Sequence, residues 1–280
     1  MHRRPTRVDR GGAAGRHWLV ATRPLHPGLR GVVRRLTGYE EQTPTPLVRP
    51  EMPGPTLTCI VEIGPPIAVD GAHHPGGFVA GLHQRPAVTV HDGFQAGVQI
   101  DLTPMGAGRL IGDDTAQLTD RVVTLDDVLG PGQRGLGQRL AALDDWAVRL
   151  DMVEAFLLDR LGRTAPAPAW LEWAWGRIVD SGGAVSVGEL STELGYSARH
   201  VGRVFRSAIG LSPKRCALLV RFGRLVEALD GGEPPDWAGL ALDLGYADQA
   251  HLAREVRRFT GLTPTGLRRL RRPFVGGDAG

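Results

Sequence analysis

Cysteine is scarce. Cys59 and Cys216 are the only two, and they lie in different halves of the chain, so no disulfide framework is expected and the usage suits a reducing cytoplasm. No apolar run reaches the roughly 18 residues that a membrane-spanning helix requires. Arg3-Arg4 is followed by no apolar stretch of the kind an export signal carries. The chain therefore reads as cytoplasmic, with no membrane partner. Catalytic signatures are also missing, since neither a Ser-His-Asp order nor a P-loop stands out. Gly130-Pro-Gly-Gln-Arg-Gly135 has the letters of a dinucleotide-binding GxGxxG, but it contains Pro and follows an Asp-rich, helix-like stretch rather than a strand, so it reads as an ordinary loop. Lysine is nearly absent: Lys214 stands alone among 33 basic residues, leaving arginine as the cation of this chain.

What the sequence does have is a repeat. Leu194 to Pro213 reads LGYSARHVGRVFRSAIGLSP, and Leu244 to Pro264 reads LGYADQAHLAREVRRFTGLTP. Gly195 to Gly210 spans 15 positions and Gly245 to Gly261 spans 16, so the second copy carries one additional residue. In the first copy, Ser186 and Glu189 have capping-box spacing before a short helix with Val187, Leu190 and Leu194 inward. Gly195 ends that helix, and Ser197 caps the next. There Val201, Val204, Phe205 and Ala208 make an apolar stripe, with Arg199, Gly202, Arg203 and Arg206 opposite. In the second copy Asp236 caps a helix carrying Leu240 and Leu244. Asp248 or Ala247 opens the following one, with Leu252, Val256 and Phe259 inward. Between the copies, Pro213 starts a long helix that Gly231-Gly232 stops. These are two helix-turn-helix units in tandem, a device for holding two reading helices against one duplex.

Arginine donates two parallel hydrogen bonds to guanine O6 and N7, and glutamine brackets adenine N6 and N7. Arg199 and Arg203 in the first reading helix, and Gln249 and Arg254 in the second, are the expected base readers. Arg206, Lys214, Arg257, Arg258, Arg268 and Arg269, with Arg271 and Arg272 beyond them, are placed for phosphates, where charge and reach are enough. One charged helix face is usually only wet surface; two matched units make that the weaker reading.

With these residues in view, the segment from about Trp170 to Arg272 resembles the DNA-binding domain of AraC/XylS-type transcription regulators. The resemblance is carried by both Leu-Gly-Tyr turns, the Arg203-Val204-Phe205-Arg206 and Arg254-Glu255-Val256-Arg257 blocks, both Gly-x-Ser/Thr-Pro closures and the longer second copy. It implies base contacts from Arg199, Gly202 and Arg203, and from Gln249, Ala250, His251 and Arg254. Gly202 has no side chain where relatives often carry a polar reader, and Val256 replaces a usual Phe.

The upstream half has a different texture. Short β-type runs broken by Gly and Pro extend from His17 to about Asp113, including 57–63, 77–82, 87–90 and 96–102, and predict a small barrel or two-sheet sandwich. Two helices follow, one from Gly137 and one over Trp146 to Leu161. The whole is expected to be α+β: a flexible basic tail over 1–16, a cupin-like regulatory or dimerisation domain over 17–164, and an Ala/Pro linker over 165–169. An all-α domain of about seven helices over 170–273 and a tail over 274–280 complete it. Residues 17–169 carry 13 basic against 17 acidic residues, and 170–280 carry 15 against 12, so the basic surplus sits with the repeat.

His73, His74, His83 and His91 fall within twenty residues, with Glu62 nearby, but the adjacent pair and Gly76-Gly77 favour a loop cluster over a metal site. Phe78, Phe94, Trp18 and Val90 could line an effector cavity or simply be core. The expectation is a sequence-specific transcription factor, not an enzyme, without cofactor or metal. Its expected partners are double-stranded promoter DNA, with RNA polymerase, a small-molecule effector and a second copy of the chain as further candidates. Two alternatives stand beside it: a metal-dependent cupin-type enzyme fused to a DNA-binding domain, and a ligand-free architectural DNA binder.

Overall fold

The computed structural model describes residues 4–13, 15–130, 135–230 and 235–270. The interior of the Gly130–Gly135 loop, the Gly231-Gly232 helix stop, Arg271, Arg272 and the 274–280 tail lie outside the described residues.

Strands come first. β1 (Arg7–Ala13), β2 (Arg16–Thr22), β3 (Val33–Gln42), β4 (Leu47–Glu51), β5 (Leu57–Glu62), β6 (Ala68–Val69), β7 (Ala72–His73), β8 (Gly77–Ala80), β9 (Ala87–His91), β10 (Phe94–Leu102) and β11 (Val122–Thr124) make two sheets. The larger has the order β1-β2-β3-β10-β5-β8-β11 and the smaller β4-β9-β6-β7, and the paired strands run antiparallel. Because side chains alternate along a strand, the large sheet has two different faces. Leu36, Cys59, Val61, Val79, Val98 and Ile100 point to the helices, while Ile60 and Phe78 meet Ile67, Val69 and Ala87 between the sheets.

Four helices accompany the strands among the described residues: α1 (Pro104–Ile111), α2 (Leu125–Leu129), α3 (Leu136–Ala141) and α4 (Trp146–Leu161). Asp145 caps α4 through the Ala147 amide. The buried face of α4 includes Leu150, Val153 and Leu157, each worth about 1.5–3 kcal/mol of apolar burial. α4 sits close on β3 because Gly38 has no Cβ where the Trp146 ring lies, and the Trp146 indole donates to Glu40 at 3.2 Å.

Two expectations are corrected here. Residues 7–13, expected within a flexible arm, form β1, and Arg4 pairs with Glu154 of α4, which also receives Arg23. Residues 104–111, expected within the β-type region, are helical, because Thr103 caps the Gly106 amide and Pro104 occupies the first turn.

Seven further helices are described: α5 (Ala169–Asp180), α6 (Val187–Leu194), α7 (Ala198–Ile209), α8 (Pro213–Ala228), α9 (Trp237–Asp243), α10 (Gln249–Thr260) and α11 (Pro264–Leu270). The fold is thus a β-rich first half followed by a helical second half. The two halves touch at named points. Gly210, in the left-handed conformation at the end of α7, abuts Ala116 of the 3-10 helix Asp113–Leu118 and Thr119 just after it. Arg34 pairs with Glu227, and Arg215 donates to Gln84. No helix among the described residues is long and apolar enough to cross a membrane.

Candidate nucleic-acid interface

The first unit is built as its sequence predicts. Ser186 and Glu189 complete a reciprocal capping box on α6, Gly195 takes φ 67°, and Ser197 accepts from the His200 amide to start α7. Val201, Phe205 and Ile209 are buried, and Arg199, Arg203 and Arg206 are exposed. Gly202 differs from its expected outward position. It is buried, and the Arg206 guanidinium lies 3.6 Å from where its Cβ would be. Arg203 reaches His200 Nδ1 at 3.4 Å.

In the second unit Asp236 caps α9 through the Ala238 and Gly239 amides, and Asp248, rather than Ala247, caps α10 through His251. Leu252, Val256 and Phe259 are buried as expected, while Gln249, Ala250, Arg254, Arg257 and Arg258 are exposed and His251 is half-buried. Lys214 and Arg269 are exposed, and Arg268 is half-buried. Arg258 also faces Arg215, Gln84, Leu218 and Phe259 across a cleft of about 170 Å³ between the two halves. The 16 residues of α8 hold the units together: Phe222 is fully buried, and its ring stacks on Phe259 at 4.6 Å.

Sequence reading missed one buried polar pair. Glu255 is 5 % exposed on the inner side of α10 and accepts from the Tyr246 hydroxyl at 2.8 Å. Its carboxyl is pushed up, chiefly by burial, against the opposing effect of the Tyr246 hydrogen bond and of Arg221. The signal was there, since Leu252, Glu255 and Phe259 fall at i, i+3 and i+7, on the buried stripe.

The first half holds a second polar group, between its sheets. Glu41 receives Gln95 at 2.6 Å and pairs with Arg49 at 3.1 Å, and His91 Nε2 lies 3.7 Å away. Glu62 accepts from the Ile67 amide at 2.9 Å, and burial pushes its carboxyl up to about 7. Glu62 Oε2 and both His91 ring nitrogens are buried without a hydrogen-bond partner, and burial lowers the His91 pKa. Glu41, Arg49 and Gln95 were not singled out from sequence, because isolated polar residues in strands carry no pattern of their own. The histidines are not gathered: His83 Nδ1 contacts the Gly81 carbonyl at 2.7 Å, His73 is exposed, and no group of three or more metal-ligating side chains is found among the described residues. Of the cavity candidates, Phe78 does lie between the sheets, whereas Phe94 is 39 % exposed, and Val90 alternates with His91 onto the outer face.

The fold joins a β-rich first half to two helix-turn-helix units. Residues 190–270 match the family model of a helix-turn-helix domain. The second half of the chain thus carries a helix-turn-helix domain. In fold it is similar to ToxT from Vibrio cholerae, at 7 % identity, covering 85 % of this chain and 99 % of that one with a TM-score of 0.51. It also matches the C-terminal domain of AraT, a response regulator from Geobacillus stearothermophilus, at 20 % identity over 40 % of this chain and 94 % of that one, TM-score 0.35. A third match is the AraC-like transcriptional activator CuxR, at 14 % identity over 80 % of this chain and 81 % of that one, TM-score 0.20. No curated protein matches the chain in sequence.

Proposed function

We propose that this chain is a DNA-binding transcription regulator that reads a promoter with α7 and α10 in successive major-groove segments on one face of the duplex, and that a small polar molecule held by the first half sets its occupancy. The observation that carries the reading is the duplicated surface: two capped helices, each with a buried apolar stripe and exposed Arg or Gln opposite, joined by α8. In this reading Arg199 and Arg203 read bases from α7, with Gly202 admitting a close backbone approach. Gln249 and Arg254 read from α10, with Ala250 and His251 beside them. Arg206, Lys214, Arg257, Arg258, Arg268 and Arg269 hold phosphates. In this reading the halves divide at the Ala/Pro linker over 165–169, and the exposed stretch at 162–166 beside it supports that division.

Support for a polar effector comes from Glu62 Oε2 and the His91 ring, buried acceptors and donors with nothing to bond. Such groups cost about 1–3 kcal/mol each when unsatisfied, and a ligand that bonds them recovers that cost. To act as a switch it must bind one arrangement of the two halves better than another.

Selection of random duplexes by the intact chain tests the reading; a consensus of two blocks one helical turn apart is the expected result. On that consensus Arg203→Ala is expected to lose about 1–3 kcal/mol and relax preference at one or two base pairs. Arg269→Ala is expected to weaken all sequences alike and to flatten the salt slope by about 1. Equal losses on specific and scrambled DNA for both variants would sink the division between base and phosphate contacts.

A further inference from the structure

The two units place the tyrosine after each Leu-Gly differently. Tyr196 is 43 % exposed and packs on the outside, 4.8 Å from the His200 ring and 5.4 Å from the Trp170 ring. Tyr246 is 2 % exposed and turned inward onto Glu255. Two sequence differences produce this. The additional residue of the second copy lies in the turn, since Ser197, the cap of α7, directly follows Tyr196, whereas Ala247 separates Tyr246 from its cap Asp248. Glu255 also stands where the first copy has Val204, each immediately before a fully buried core residue, Val256 and Phe205.

A buried carboxylate is costly, and an apolar residue of similar size would serve stability at least as well. What the polar pair adds is direction, because a hydrogen bond holds two groups at one distance and angle, which apolar contact does not. The pair is also the end of a longer chain of contacts. The Arg221 guanidinium of α8 lies 5.3 Å from the centre of the Tyr246 ring and donates at 2.9 Å to the Gly183 carbonyl, in the turn between α5 and α6. His251 meets the same ring edge-on at 5.4 Å. Gly183 has φ 79°, and a Cβ there would run into the Ala217 carbonyl, so this turn sits directly on α8. Contacts therefore run unbroken from the entry of the first unit, across α8, to the inner side of the second reading helix.

We infer that Arg221, Tyr246 and Glu255 form a clamp that fixes the second reading helix at one distance and phase from the first, and so selects the spacing between the two DNA blocks. This rests on the two-helix reading proposed above. Each base pair added between the blocks moves the second by about 3.4 Å and turns it by about 35° around the duplex axis. A rigid pair tolerates little of either.

The test uses the intact chain on duplexes carrying both selected blocks at the preferred spacing, on duplexes with one or two base pairs added or removed, and on single-block duplexes. The unaltered chain is expected to prefer one spacing by at least about tenfold, about 1.4 kcal/mol. Tyr246→Phe removes one oxygen and keeps the ring beside Arg221. It is expected to retain single-block affinity while spacing preference falls below about threefold. Glu255→Gln, whose amide oxygen still accepts from Tyr246, is expected to keep the preference. Unchanged spacing preference in Tyr246→Phe, or an equal loss on all duplexes including the single-block ones, would overturn the clamp. If the unaltered chain binds two-block and single-block duplexes alike, the two-helix reading fails and the clamp falls with it.

Discussion

Phe222→Ala is expected to abolish DNA binding by both units at once. The side chain is fully buried in α8, and its ring stacks on Phe259 at the end of α10. Truncating a buried Phe costs about 3–5 kcal/mol through lost contacts and a residual cavity. Against a total stability of about 5–15 kcal/mol, that is a large share. The unfolding midpoint is expected to drop by roughly 6–20 °C. Phe222→Leu, which keeps most of the volume, is expected to cost less than Phe222→Ala and to retain binding. Circular dichroism melts of the two variants, read beside their affinity for the selected duplex, separate lost packing from a lost contact. An unshifted midpoint for Phe222→Ala would show that α8 is not the common support of the two reading helices.

Glu62→Gln is expected to stabilise the protein, and only at the higher pH. In the unfolded chain this carboxyl ionises near its ordinary 4.5; in the folded protein burial holds the proton until about 7. As pH rises through this window the unfolded state releases its proton first, so stability falls between about 4.5 and about 7 and stays reduced above it. The full loss is at most about 3 kcal/mol by linkage, reduced by whatever water still screens the carboxyl. The amide of the variant still accepts from the Ile67 N–H, which Glu62 now receives at 2.9 Å, and it carries no charge to desolvate. A gain at pH 8 that vanishes by pH 4 is the expected melting result. An equal gain at both would place the effect in packing and not in ionisation.

Much of the second half was legible from the sequence, because its signals are local. Capping residues, left-handed glycines and a 3.6-residue apolar stripe occur within a few positions of one another, and Ser186, Gly195, Ser197, Asp236 and Asp248 fall where those rules put them. α4 was legible for the same reason. The strand β1 was not: arginine and paired glycines suppress its period-two pattern, and only its pairing with β2 makes it a strand. The helix α1 was hidden by its glycines, although Thr103-Pro104 marked its start. The group around Glu41, Arg49, His91 and Gln95 joins four strands, with Glu41 and Gln95 54 positions apart, and only the folded sheets bring it together. Glu255 is hidden for a different reason: Arg254, Arg257 and Arg258 around it are charged and exposed, and one acid among them gives no sign of its own burial.

The additional residue in the second turn has one more consequence. A symmetric dimer on a palindrome leaves nothing to tell one end of a site from the other. Here the heads differ in turn length, in the fate of their tyrosines and in the residues they expose. On the proposed reading, bound protein marks DNA as an arrow does, with the first half of the chain always toward the same end of the site. Reversing the site would then turn the regulator around without weakening its grip, and whatever it touches upstream would come to lie downstream.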